Sequence, residues 1–482
     1  MSAESLAAAL ALIGIVILVS SLFSGLIDRT GVPQVAIFLV LGAVLGPAGL
    51  HLVNLSLESP TLEWIATLGL VLVLFTDAIA IDLSAIRSPR RLMFFILGPA
   101  TLLPALLTAL VARFLLGLGW LHSAILGAAL ASTDPVMLRT LTRRSSLPAP
   151  VREALRIEGG TNDVVLLPVI VLSILALTAQ GGAGELGRHA VGLFLLGPGL
   201  GALTGFIAIT LLEQVRKRVG VRRDYESLYA LGVAFTAYAA AESVGGSGFL
   251  AAFAAGVVIA KLDVELCDCF LDYGQATAEM FLLFTFVAFG AGLIWSGLAV
   301  ADWRTILFAL LALVMRTVVL LPALARERIG QRNARIIAWS GPRGLSSLLL
   351  ALLPVFAGVA GSEQLFAITS LVVLLSVAIH GTGIALFLRK SEALAPPAPQ
   401  PEPAAREVAH EARIPERITL DDLRQLQETG GPVILADVRT ERSYAADNLR
   451  AVGSIRLPPD DAVRRARELG LDHHATVVLY CA

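Results

Sequence analysis

Residues 156–179 read Arg156-Ile157-Glu158-Gly159-Gly160-Thr161-Asn162-Asp163-Val164-Val165-Leu166-Leu167-Pro168-Val169-Ile170-Val171-Leu172-Ser173-Ile174-Leu175-Ala176-Leu177-Thr178-Ala179, and this stretch decides the fold. After Asp163 no residue is charged up to Ala179. An apolar run near ~20 residues matches the hydrocarbon thickness of a bilayer when helical. Only a helix satisfies every backbone polar group of such a segment from within. Glu158 and Asn162 are four apart and share one helix face. Asp163, five beyond Glu158, lies about 140° further round at ~100° per residue and points elsewhere. A polar first turn on a helix entering the membrane would account for Glu158. It accounts less well for Asp163, because everything after it is apolar. A charge at the bilayer centre costs on the order of 3 kcal/mol on insertion scales, so each such acid needs a reason.

The same pattern extends outward. The 482 residues are 56% hydrophobic, with mean hydropathy +0.78. Only 16% are charged, against about 25% in soluble proteins. Apolar runs fall at 5–27, 33–50, 62–80, 92–116, 122–140, 153–179, 189–212, 225–241, 247–263, 277–296, 302–324, 336–357 and 364–388. Loops after odd-numbered runs hold Arg29; Arg87, Arg90, Arg91; Arg143, Arg144, Arg152; Arg216, Lys217, Arg218, Arg222, Arg223; Lys261; Arg326, Arg328, Arg332, Arg335; and Arg389, Lys390. Loops after even-numbered runs hold chiefly Arg188 and Arg304. Positive loops stay in the cytoplasm. The alternation predicts an all-α polytopic protein of the cell inner or plasma membrane, with thirteen spans, an outside N-terminus and a cytoplasmic tail. The first run lacks the flanks of a cleavable leader and reads as a span.

Six spans plus six, joined by one helix, fit thirteen. The fifth and twelfth are interrupted at Thr133-Asp134-Pro135 and at Ser340-Gly341-Pro342-Arg343-Gly344. Broken helices at corresponding places in two inverted repeats point to a transporter site at the midplane. Asp134 before Pro135 is a helix N-cap in most proteins. Inside a span, that cap starts a half-helix whose free N–H groups face something polar, so cap and ion site are compatible. Arg316 lies mid-span, about eight residues or ~12 Å from either end, which is far to snorkel. Glu158 is its expected partner, an ion pair serving architecture. That leaves Asp163, with Asp134 nearby, to hold a cation or a proton. Asp77 sits toward one end of its span and is an accessory candidate with Arg343. Gly245-Gly246-Ser247-Gly248 and Gly256 read as small-residue helix packing. No nucleotide-binding pattern occurs, a net charge of −1 implies no nucleic-acid surface, and no cofactor is expected.

Thr133-Asp134-Pro135, Glu158 with Asn162-Asp163, Arg316, Gly341-Pro342-Arg343-Gly344 and Ser247 to Gly256, in this order on these spans, resemble the NhaP-type sodium/proton antiporters of the monovalent cation–proton antiporter superfamily. The resemblance covers residues 5–390. It implies a homodimer with a dimer domain and a core domain in each protomer. It implies that Asp163 binds cation and proton in competition, helped by Asp134, Thr133, Asn162 and the Gly159-Gly160-Thr161 region. It implies that Arg316 holds both Glu158 and Asn162. An Asn before the key Asp goes with electroneutral exchange and a role in pH homeostasis. Relatives often carry an acid one residue before Asp77. Sodium is the expected cation, and a potassium/proton efflux antiporter is the alternative.

Residues 391–413 are Pro/Ala-rich and read as a linker after the transmembrane domain, 1–390. Residues 414–482 alternate helix and strand signals: a helix at 421–427, strands at 432–439 and 476–480. Asp437-Val438-Arg439, Tyr444, Gly453 to Pro458 and Cys481 resemble a rhodanese domain, whose chemistry is sulfur transfer through a cysteine persulfide. Only Ala482 follows Cys481, so this domain is expected to be incomplete. A membrane-anchored sulfur or redox sensor acting through Cys481 is the rival from another class. Thirteen spans with buried acids are excessive for an anchor.

Overall fold

The structure is a computed structural model. It describes residues 14–15, 17–19, 22, 34–80, 98–134, 137–138, 149–178, 183–219, 221, 223–262, 280–281, 283–324, 330–394, 423–424, 426, 433–439, 444, 450–458, 461–471 and 475–480. The chain divides into two compact units, Met1–Arg389 and Lys390–Ala482.

The first unit is helical throughout its described elements: α1 (Gln34–Leu45), α2 (Pro60–Ala80), α3 (Pro99–Leu115), α4 (Trp120–Ala131), α5 (Ala149–Thr178), α6 (Ala183–Val191), α7 (Gly197–Arg218), α8 (Arg223–Glu242), α9 (Gly248–Leu262), α10 (283–290), α11 (Trp303–Leu324), α12 (Gln331–Trp339), α13 (Leu345–Phe356) and α14 (Ser362–Leu394). A single π turn, Gly192–Leu196, joins α6 to α7. Five stretches are long and apolar enough to cross a membrane: Pro60–Ala80, Ala154–Thr178, Gly187–Arg218, Trp303–Leu324 and Ser362–Gly383. Shorter apolar helices occupy most of the other expected spans. The expected first span falls largely outside the described residues. The expected last one is part of a helix that runs on to Leu394.

Both expected breaks are real interruptions. Helix α4 stops at Ala131, and Ser132 is extended at φ −60, ψ 137. Pro135 lacks an amide hydrogen and biases the residue before it away from helix. Residues 340–344 are likewise non-helical between α12 and α13, with Pro342 inside the break. Helix α5 packs on α4, α12 and α13, while α11 packs on α3 and α12. Helices α7, α8, α9 and α2 pack together around Phe75, Ile209, Ala234 and Ala255. Gly256 belongs to this packing, since a Cβ there would press on the Phe75 carbonyl and on Ala78. The glycine-rich stretch therefore serves close helix approach, as expected.

The second unit contains a parallel sheet in the order β2-β1-β3, with β1 Val433–Asp437, β2 Ile455–Arg456 and β3 Thr476–Tyr480. A helix, Ala462–Glu468, links β2 to β3. Parallel strands need such a crossover. Buried Arg439 bonds Asp437 through Nη2–Oδ2 at 2.7 Å and Nε–Oδ1 at 3.0 Å. Tyr480 donates to the same carboxylate at 3.1 Å. Cys267, Cys269 and Cys481 lie outside the described residues.

Candidate functional site

The two broken helices cross at their breaks. The Asp134 amide donates to the Pro342 carbonyl at 2.8 Å. Ser347 Oγ donates to the Ser132 carbonyl at 3.3 Å. Helix ends leave carbonyls without intrahelical partners, and in a membrane they must find others. Here two buried arginines supply them. Arg343 Nη1 donates to the carbonyls of Ala131 at 2.5 Å and Ser132 at 2.9 Å, at the C-terminal end of α4. Arg316 Nη1 donates to those of Ile337 at 2.6 Å and Ala338 at 2.7 Å, at the C-terminal end of α12. Cations at C-terminal ends also complement the helix dipole.

The glycines of the second break make room for these groups. A Cβ on Gly341 would overlap the Arg316 side chain, and one on Gly344 would overlap the Asp134 carboxylate. That carboxylate meets the Leu345 amide at 3.4 Å, at the N-terminal end of α13. Asp134 therefore caps the partner half-helix with its side chain. Its own carbonyl accepts from the Leu138 amide at 3.2 Å, as the start of the half-helix after the break.

Arg316 and Glu158 form the expected pair, doubly bonded: Nε–Oε1 at 2.7 Å and Nη2–Oε2 at 2.5 Å. Both side chains are less than a tenth exposed. Asn162 is not held by Arg316, contrary to expectation. Its Nδ2 donates instead to Thr133 Oγ1 at 2.6 Å. The guanidinium is turned to Glu158 and the end of α12, while the Asn162 amide reaches the first break. Asp163 points into that break as well, where Ser132 Oγ donates to its Oδ1 at 2.5 Å. The Ser346 hydroxyl lies beside the same carboxylate, and Asp134 is near enough for the two charges to repel. Asp77 is buried at the face of α5, its carbonyl 3.4 Å from where a Gly160 Cβ would stand.

The structure thus gathers Asp134, Thr133, Asn162 and Asp163 at one crossing, with Glu158, Arg316 and Arg343 bracing it. Sequence reasoning passed over Ser132 and Ser346. Both are small polar residues in apolar runs beside the break motifs, a signal that was present. It also passed over Ser376 and His380 of α14, where Ser376 Oγ accepts from the Arg343 amide at 2.7 Å. His380 Nδ1 lies 3.1 Å from that hydroxyl.

Two buried oxygens at the crossing have no hydrogen-bond partner among the described residues: Asp163 Oδ2 and Asn162 Oδ1. Their residues are 2% and 1% exposed. Burying acceptors unpaired is costly, and for a carboxylate oxygen the cost is larger. Among the described residues Arg316 is paired with Glu158, and Arg343 Nη1 serves the end of α4, while Asp163 and Asp134 lie close enough to repel. Hard oxygens without donors suit an alkali-metal ion or a proton.

Residues 15–390 match the family model described as sodium/hydrogen exchanger, transmembrane. The chain belongs to this family. As a sodium/hydrogen exchanger family member it is a multi-pass membrane cation/proton antiporter rather than an enzyme. It is 27% identical over 400 residues to the K(+)/H(+) antiporter NhaP2 of Shewanella oneidensis, a match covering 80% of this chain and 67% of that one. It is 29% identical over 207 residues to the Na(+)/H(+) antiporter NhaS2 of Synechocystis, covering 42% of this chain and 37% of that one. The fold is that of the sodium proton antiporter MjNhaP1 from Methanocaldococcus jannaschii, with TM-score 0.65 and 18% identity over 79% of this chain and 99% of that one.

Proposed function

We propose that this exchanger trades one monovalent cation for one proton at Asp163, with Asp134, Thr133 and Asn162 completing the site. The unpartnered pair Asp163 Oδ2 and Asn162 Oδ1 carries this reading. An empty anionic site is expensive to carry through a low-dielectric barrier. Occupied by a cation or a proton it is neutral, so the occupied forms cross and the empty form does not. Exchange follows from that asymmetry. Asn162 in place of a second acid supports one-for-one, electroneutral stoichiometry.

Sodium is the proposed cation, in keeping with the family's own description. The 27% identity to a potassium/proton antiporter favours potassium as the second reading. The two interrupted helices support a pair of inverted repeats, and loop charge supports thirteen spans with an outside N-terminus. The homodimer rests on the resemblance. The parallel β2-β1-β3 sheet, with Asp437 and Arg439 at the end of β1, supports a rhodanese-like tail over 414–482 after a 391–413 linker.

The test is Asp163→Asn in proteoliposomes with a preset pH gradient. Cation-driven proton movement should vanish while the protein still runs as a monodisperse species. Exchange at wild-type rates would remove Asp163 from the mechanism.

A further inference from the structure

The reading above leaves two buried hydroxyls beside Asp163 unexplained. Ser132 is 0% exposed and Ser346 2%. They arrive from different elements, Ser132 from the break after α4 and Ser346 from the first turn of α13. Both converge on one carboxylate. A serine placed only to steady a carboxylate could come from either element. Two, one from each of the crossing elements, flank the carboxylate together.

The accounting of Asp163 points the same way. Ser132 donates to Oδ1, and Oδ2 has no hydrogen-bond partner among the described residues. Asn162 reaches the same break through Nδ2 on Thr133, with Oδ1 left unpartnered. The hydroxyl is the one group here that serves both charge states. Its hydrogen can point at the bare carboxylate, and after rotation its lone pairs can face a cation. We propose that Ser132 and Ser346 are cation-coordinating residues. Together with Asp163 and Asn162 Oδ1 they form an oxygen cage whose hydroxyls set the preference among alkali-metal ions. This rests on Asp163 being the exchange site. It adds two ligands from outside the acidic motif, one from each broken helix. Discrimination between ions of equal charge depends on the number and field strength of such ligands. Neutral hydroxyls change both without altering the charge balance that exchange requires.

The experiment uses softness as a probe. Thallous ion is close to potassium in size but far more thiophilic, so a sulfur ligand favours it. Ser132→Cys and Ser346→Cys are made in the full chain and reconstituted, and the KM for Na+ and for Tl+ is read from proton movement. Ser173→Cys is the control, because the Ser173 hydroxyl donates to the Val169 carbonyl within α5, more than two turns beyond Asp163. If the serines are ligands, the ratio of KM for Na+ to KM for Tl+ rises about tenfold in both cysteine variants, the size of one altered contact. It stays at the wild-type value in Ser173→Cys. An unchanged ratio with exchange intact overturns the proposal. Where a variant loses exchange, the same ratio is read from cation-dependent protection of the purified protein against thermal unfolding. Asp163→Asn run in parallel separates the two ideas. Exchange surviving there defeats the site itself, whereas exchange lost there with unmoved cysteine ratios defeats the serines alone.

Discussion

Replacing Glu158 by Gln should cost stability and leave the exchange reaction in place. The side chain keeps its shape, so the loss is electrostatic. Arg316 would retain its bonds to the Ile337 and Ala338 carbonyls but would face an amide where it now has two charged contacts at 2.7 and 2.5 Å. Breaking a buried pair by removing one partner costs about 3–5 kcal/mol, because the other charge is stranded. At ~2 °C per kcal/mol for a unit of this size, the melting temperature in detergent should fall by about 6–10 °C. Arg316→Met should cost at least as much, since the end of α12 also loses its donors. The double variant should cost clearly less than the two singles together, because neither charge is left alone. Turnover per folded molecule in proteoliposomes should stay within about threefold of wild type in Glu158→Gln, equivalent to less than ~1 kcal/mol on the barrier. Full stability with abolished exchange would refute the reasoning and put Glu158 in the ion path. Strict additivity would show that the two side chains do not act as a pair.

Three further outcomes are expected. Gly344→Ala should abolish exchange and lower the melting temperature, because its methyl group would overlap the Asp134 carboxylate; overpacking of this kind costs about 1–3 kcal/mol. Unimpaired exchange would mean the crossing can yield. Asn162→Asp should make transport respond to membrane potential, checked by imposing a potassium diffusion potential across liposomes in which wild type is indifferent. In the tail, burial would raise the Asp437 carboxyl, but hydrogen bonds and charge from Arg439 outweigh it and hold the group below its usual 3.8. A depressed carboxylate contributes stability above its unfolded value and loses it as pH falls through the folded one. Pepsin resistance of the tail in the full chain should therefore hold down to about pH 4 and decline below it, and Asp437→Asn should flatten that dependence.

Much of the site was legible because membranes penalise charge. The acids and arginines deep inside the runs at 122–140, 153–179 and 302–324 stood out, although His380 did not, and helical spacing separated Glu158 from Asp163. The Glu158–Arg316 pair followed from charge balance alone. Other features depend on where two distant breaks meet. That the Asp134 carboxylate meets the start of α13, and that Arg343 serves the end of α4, could be known only once residues 132–134 and 340–344 were seen to cross. Asn162 was assigned to Arg316 by analogy, and its Nδ2 donates to Thr133 instead, a contact that exists only because the first break passes beside α5. Ser132 and Ser346 were overlooked for a different reason. A lone hydroxyl in an apolar run is cheap to bury and so raises no alarm.

Arg316 belongs by sequence to α11, yet its guanidinium grips α5 and the end of α12. It works as a rivet between three segments. If the ion-carrying part of the protein swings or slides during turnover, α11 has to travel with it, because leaving it behind would strand a cation in oil. Any line along which the machine parts must then leave α11 on the same side as α5 and α12.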